Sequence, residues 1–92
     1  MTRISVLRRQ QAKLMGDIGA LLDGYLIGTI AQPPSLAGHN LTTKVDGRTV
    51  TRYVRKDVVP FAREMTRRYK ELWLLLQNLS KINWEILNLE NR

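Results

Sequence analysis

A run of apolar residues stepping by three and four through the last third of the chain constrains the fold most. Ala62, Met65, Tyr69, Leu72, Leu76, Leu79, Asn83 and Ile86 follow one another without a break, which is the spacing of one helical face. The pattern is a heptad repeat with Asn83 at an a position. Leu75, Ile82 and Leu89 make a second stripe at g, and Trp73 and Leu87 stand at e. This apolar surface is wider than a two-stranded seam needs. Asp57 is the expected N-cap, and Pro60 falls in the first turn, where a missing N–H costs little. A helix of about 30 residues is roughly 45 Å long, whereas a globule of this chain length is about 25 Å across. Its far end therefore needs a partner, either the N-terminal segment or another chain. The seam of Met65, Tyr69, Leu72, Leu76, Leu79, Asn83 and Ile86 is expected to form an oligomer interface, most simply a homodimer. A lone Asn at a buried a position costs stability but fixes register and partner number. The same Asn also suits the solvated edge of an intramolecular bundle.

The N-terminal segment, 1–24, repeats the helical spacing from Thr2 to about Asp23, with Ile4, Leu7, Leu14, Ile18, Leu21 and Tyr25 as its apolar positions and Gln11 in the gap. Thr2 is the expected N-cap and Gly24 the expected left-handed C-cap. Gly16 and Gly19 each weaken a helix interior by about 1 kcal/mol, and both would allow another backbone to approach closely. The middle segment, 25–56, reads as strands. Tyr25–Ala31 is rich in β-branched and aromatic residues, and Gln32–Asn40, with Pro33, Pro34 and Gly38, reads as a loop. Leu41–Val45 and Arg48–Val54 flank Asp46-Gly47, the strongest short-range hairpin signal, because both turn positions need positive φ. A two-residue turn pairs Val45 with Arg48, Thr43 with Val50 and Leu41 with Arg52. The expected architecture is a single α+β domain over 1–92: an N-terminal helix, a small three-stranded antiparallel sheet, and a long C-terminal helix over 57–90.

Composition narrows the chemistry. Ninety-two residues with no cysteine exclude disulfides, thiol catalysis and thiolate metal sites. The single histidine, His39, excludes a two-histidine site within one chain. His39 with Ser35 or Asp46 has no second general base spaced to help it, so neither a catalytic residue nor a metal or cofactor is expected. No apolar run reaches the length of a membrane span, and the basic, amphipathic start lacks the apolar core of a secretory signal. The expected location is the cytoplasm. The net charge is +7 and is uneven: residues 25–56 carry Lys44, Arg48, Arg52, Arg55 and Lys56 against Asp46 alone. Guanidinium forks suit phosphate bidentately, and a two-stranded ribbon fits a major groove about 12 Å wide. Thr42, Thr43, Thr49 and Thr51 can add hydrogen bonds to phosphate oxygens. Against this stands simple ion pairing of Arg52 and Arg55 with acids such as Asp57 and Glu64. A second basic stripe, Arg63, Arg67 and Lys70, has helical spacing and reads most simply as a solvated helix face.

Thr51-Arg52-Tyr53-Val54-Arg55-Lys56-Asp57, Tyr69-Lys70-Glu71-Leu72 and Leu79-Ser80-Lys81-Ile82-Asn83-Trp84-Glu85-Ile86-Leu87 together resemble a family of short bacterial proteins of unknown function. The resemblance covers roughly residues 20–90 and is most specific at the junction of hairpin and helix. It implies an N-terminal helix, a strand, a Cys- and Gly-rich loop, a hairpin ending in "TRYV" and a long C-terminal helix. It also implies a setting among mobile elements. This chain departs from the pattern because its loop, Ala31-Gln32-Pro33-Pro34-Ser35-Leu36-Ala37-Gly38-His39, has no cysteine, so no zinc-ribbon role carries over.

The expected function is non-catalytic nucleic-acid binding, DNA before RNA, by an accessory or regulatory factor of a mobile element. Lys44, Arg48, Arg52, Arg55 and Lys56 would make the backbone contacts. A larger protein of the same system is the further partner expected, and no membrane is expected. The alternative is a protein-interaction or oligomerisation module built on the long helix.

Overall fold

The computed structural model describes residues 2–32 and 38–91. The chain is α+β, in the order α1 (Arg3–Gly19), β1 (Thr29–Ala31), β2 (His39–Val45), β3 (Arg48–Val54) and α2 (Val59–Glu90). Contacts gather it into two compact units, one made of Met1–Asp23 with Glu71–Arg92 and the other of Gly24–Lys70. α2 supplies its first 12 residues to the second unit and the rest to the first.

In the helical unit, Thr2 caps α1 as its sequence position suggests. Its hydroxyl accepts the Ser5 N–H at 3.1 Å, satisfying one of the four donors a helix start leaves open. The helix ends earlier than its apolar spacing predicts. From Ala20 onward the chain tightens, with Leu21 N–H bonded to the Ile18 carbonyl and Leu22 N–H to that of Gly19. These i→i−3 bonds tighten the last turn and end the helix there. Leu7 and Ile18 of α1 are buried, as are Leu72 and Ile86 of α2, with Leu14, Leu75, Leu79, Ile82 and Leu89 half-buried between them. Arg3 bonds Glu85 at 3.0 Å, and Arg8 pairs with Glu90. Near its other end α1 brings Lys13 and Leu14 to a groove it shares with Asn78 and Lys81. The two helices therefore run antiparallel. Gly16 and Gly19 do not mark a close crossing, since a Cβ at either would meet nothing within 4 Å.

The second unit is a meander, β1-β2-β3, antiparallel throughout. Asp46 (φ 52°) and Gly47 (φ 78°) form the two-residue turn, and the register is Val45↔Arg48, Thr43↔Val50 and Leu41↔Arg52. Both residues at positive φ define the tight turn whose twist matches that of the strands. Ile30, Leu41 and Val54 on one sheet face meet Val58, Val59 and Ala62 at the start of α2, with Leu26 beside them. β1 is only three residues long, shorter than the strand expected over Tyr25–Ala31. The residues before it are drawn to α2 instead. Tyr25 stacks on Tyr69 with ring centroids 6.1 Å apart, and Leu26 N–H donates to the Met65 carbonyl at 3.0 Å. Gly24 is not a left-handed cap. Its carbonyl accepts from Arg68 Nη1 at 3.2 Å, and a Cβ there would lie 2.8 Å from that nitrogen. Asp57 does not cap α2 either: it precedes the first helical residue by two positions, and its carboxylate faces Arg55 at 3.7 Å. Of the expected loop Gln32–Asn40, His39 and Asn40 instead open β2 opposite Val54 and Tyr53, and residues 33–37 lie outside the described residues.

Two glycines should respond in opposite ways. Gly28 has φ 139°, and a Cβ there would stand 2.4 Å from the Thr42 carbonyl oxygen. Gly28→Ala should therefore lower stability by about 2 kcal/mol or more. Gly16 sits in open helix, so Gly16→Ala should raise stability by about 1 kcal/mol. Thermal unfolding followed by circular dichroism measures both, and about 4–8 °C per kcal/mol is the expected scale.

Candidate nucleic-acid interface

The hairpin fixes where its cations go. Side chains alternate between sheet faces along a strand, and residues directly opposite one another share a face. Lys44 stands opposite Thr49 on the outer face, whereas Arg48 and Arg52 share the other face with Val50 and Val54. Arg55 and Lys56 follow in the turn before α2. The five expected contact residues therefore do not form one surface. Arg55 is partly taken by Asp57, while Lys44, Arg48, Arg52 and Lys56 make no ion pair or side-chain hydrogen bond among the described residues. Arg52 thus escapes the structural pairing that its neighbourhood in sequence suggests.

The outer face of the sheet is polar. Thr29, Thr42 and Thr51 stand in one row across all three strands, and Ala31, Asn40 and Tyr53 form the next. Lys44 and Thr49 complete the face, which bears no carboxylate, and Tyr53 is its exposed aromatic. Thr43, grouped in sequence with the other threonines, lies on the opposite face. Tyr53 rests against Gly38, where a Cβ would be 2.6 Å from the ring.

A second basic cluster forms beside β1. Arg63, Arg67 and Lys70, one turn apart along α2, line a groove with Gly28, Thr29, Ile30 and Thr66. Glu64 holds Arg67 from two sides, at 2.7 and 2.9 Å, and lies 3.8 Å from Arg68. Arg63 and Lys70 have no partner among the described residues. Helical spacing reveals the three cations as a stripe. Gly28 and Thr29 had no sequence signal, because only the return of β1 along α2 brings them there.

The expected oligomer seam is largely occupied within the chain. Tyr69 stacks on Tyr25 and the Met65 carbonyl receives Leu26 N–H, both within Gly24–Lys70. In the helical unit Leu72 and Ile86 are buried and Leu79 is half-buried. Asn83 accepts a hydrogen bond from Gln11 Nε2 at 2.8 Å, so it matches a polar position of α1. A tethered segment presents its stripe at an effective concentration near the millimolar range, and α1 has the stripe to offer. Leu76 alone of the apolar seam residues is exposed.

His39 opens β2 and Asp46 follows its end, about 23 Å apart along an extended strand, so these two side chains do not meet. Among the described residues, no helix is long and apolar enough to cross a membrane. No family model matches the chain, and neither a curated protein nor a solved structure matches it.

The Glu64–Arg67 contact gives a pH signature. The hydrogen bonds from Arg67, helped by the charges of Arg67 and Arg68, hold the Glu64 carboxyl below its ordinary value. The stabilising effect of this exposed pair is thus complete at neutral pH and is lost as pH falls through that lowered pKa. NMR titration of the Glu64 side chain should show the depression, and Arg67→Gln should move the pKa back up toward the usual carboxylate range.

Proposed function

We propose that the Gly24–Lys70 unit binds nucleic acid through phosphate contacts, with DNA the first substrate to test. The observation that carries this reading is the charge balance of the unit. It holds nine Lys and Arg residues against Asp46, Asp57 and Glu64. Two of the three acids already face arginines of the unit itself. Lys44, Arg48, Arg52, Lys56, Arg63 and Lys70 are left with no partner among the described residues. Six unpaired cations on 47 residues create a field that attracts phosphate polymers over a Debye length of about 10 Å. The cations come from both sheet faces and from α2. Threonine hydroxyls between them suit phosphate oxygens, and none of these features selects a base.

The binding mode fixes the salt dependence. Each phosphate contact on duplex DNA adds about 0.9 to the slope of log affinity against log salt, so the slope counts how many of the six cations engage at once. Fluorescence anisotropy with labelled duplex DNA, single-stranded DNA and RNA measures it. Lys44→Ala with Arg48→Ala should flatten the slope by about 1.8 on duplex, and Arg63→Ala with Lys70→Ala by a similar amount. Slopes unchanged in both double variants would refute the assignment.

A further inference from the structure

α2 has a second apolar face that its own chain leaves in solvent. Trp73, Leu76, Trp84 and Leu87 are 51, 39, 65 and 52 % exposed, and Ser80 between them is exposed as well. At about 100° per residue these five positions fall within about 80° of one another, roughly 130° around the helix from the stripe that meets α1. Their spacing along the chain is three, four, four and three, so it reads the same in both directions about Ser80. None of the five is charged, in a chain of net charge +7.

We propose that a second copy of this chain covers this face, with the two α2 helices antiparallel and Ser80 on the two-fold axis. A two-fold interface must be self-complementary, the same patch meeting itself reversed. Reversing this stripe about Ser80 sets Trp73 beside the partner's Leu87 and Leu76 beside the partner's Trp84, so each large indole meets a leucine. The small serine stands where the helices come closest. Gln77 and Asn83, both exposed, flank the stripe as a polar rim, the usual arrangement of an interface. An unrelated partner helix would place no such symmetry on the spacing. The area is adequate for a modest dimer. With about 150–250 Å² in a whole aromatic side chain, the exposed parts of the four residues amount to roughly 450 Å² per protomer. Both protomers and their rims then reach about the 1,000 Å² that a specific interface needs. The expected dissociation constant is micromolar.

Sedimentation equilibrium of the full chain over about 1–300 μM should show a monomer–dimer equilibrium. Trp84→Glu should raise the dissociation constant at least tenfold with the helical circular dichroism unchanged. Leu74→Glu, at an exposed position off the stripe, should leave association as it was. The chain has no cysteine, so single introduced thiols report geometry directly. Ser80→Cys should oxidise to a covalent dimer far faster than Asn78→Cys. A mixture of Trp73→Cys and Leu87→Cys should cross-link to each other in preference to themselves. A monomeric mass at every concentration, undiminished association of Trp84→Glu, or self-linking of Trp73→Cys would each overturn the proposal. A nucleic-acid result of either sign leaves it standing, since none of these residues belongs to the basic unit.

Discussion

Everything in this chain depends on how one long helix is shared. α2 runs 32 residues without interruption, and an isolated helix gains little stability from its own backbone; packing of an apolar face supplies most of it. α2 finds two different coverings. Its first turns bury Val59 and Ala62 against Ile30 and Val54 of the sheet. Farther on it buries Leu72 and Ile86 in company with Leu7 and Ile18 of α1. The sheet is too small to stand by itself, since three short strands need an apolar face covered. α1, with two glycines in its second half, gains its stability from the covering rather than from propensity.

Much of this was legible from residues alone. Asp46-Gly47 determined the turn, and the turn determined the register, because a two-residue loop permits one alignment and the period of two then assigns every side chain to a face. Thr2 was legible as a cap because a hydroxyl before an amphipathic run has a specific donor to satisfy. The caps at Gly24 and Asp57 were misread, and only the first for a strictly tertiary reason. Gly24 lies under the Arg68 guanidinium, 44 residues away in the chain, whereas Asp57 fails as a cap because α2 starts at Val59 and its carboxylate faces the neighbouring Arg55. β1 was overestimated because Tyr25 and Leu26 have strand-like character, yet they are held by Tyr69 and the Met65 carbonyl.

The seam shows a sharper limit. The heptad reports which positions are apolar but not which chain covers them. The buried and half-buried stripe of α2 beyond Glu71 is Leu72, Leu75, Leu79, Ile82, Ile86 and Leu89, rotated from the a/d reading toward g. A straight α-helix drifts about 20° per heptad from a 3.5-residue repeat, so over this length two neighbouring stripes compete. Geometry chose the one that leaves Leu76 and Asn83 at its edge. The basic groove beside β1 was hidden in the same way: helical spacing aligned Arg63, Arg67 and Lys70, and only the fold supplied the strand beside them.

The helical unit is assembled from two stretches of sequence separated by the 47 residues of Gly24–Lys70, and this sets an order of events on the ribosome. Gly24–Lys70 is contiguous and acquires all its pairing partners as soon as it emerges. α1 emerges first but finds its covering last. At about 5–20 residues per second, its apolar stripe waits roughly several seconds for the residues after Glu71. Arg3 and Arg8 likewise meet Glu85 and Glu90 only at the end, so until then their charges stand unneutralised on the waiting segment.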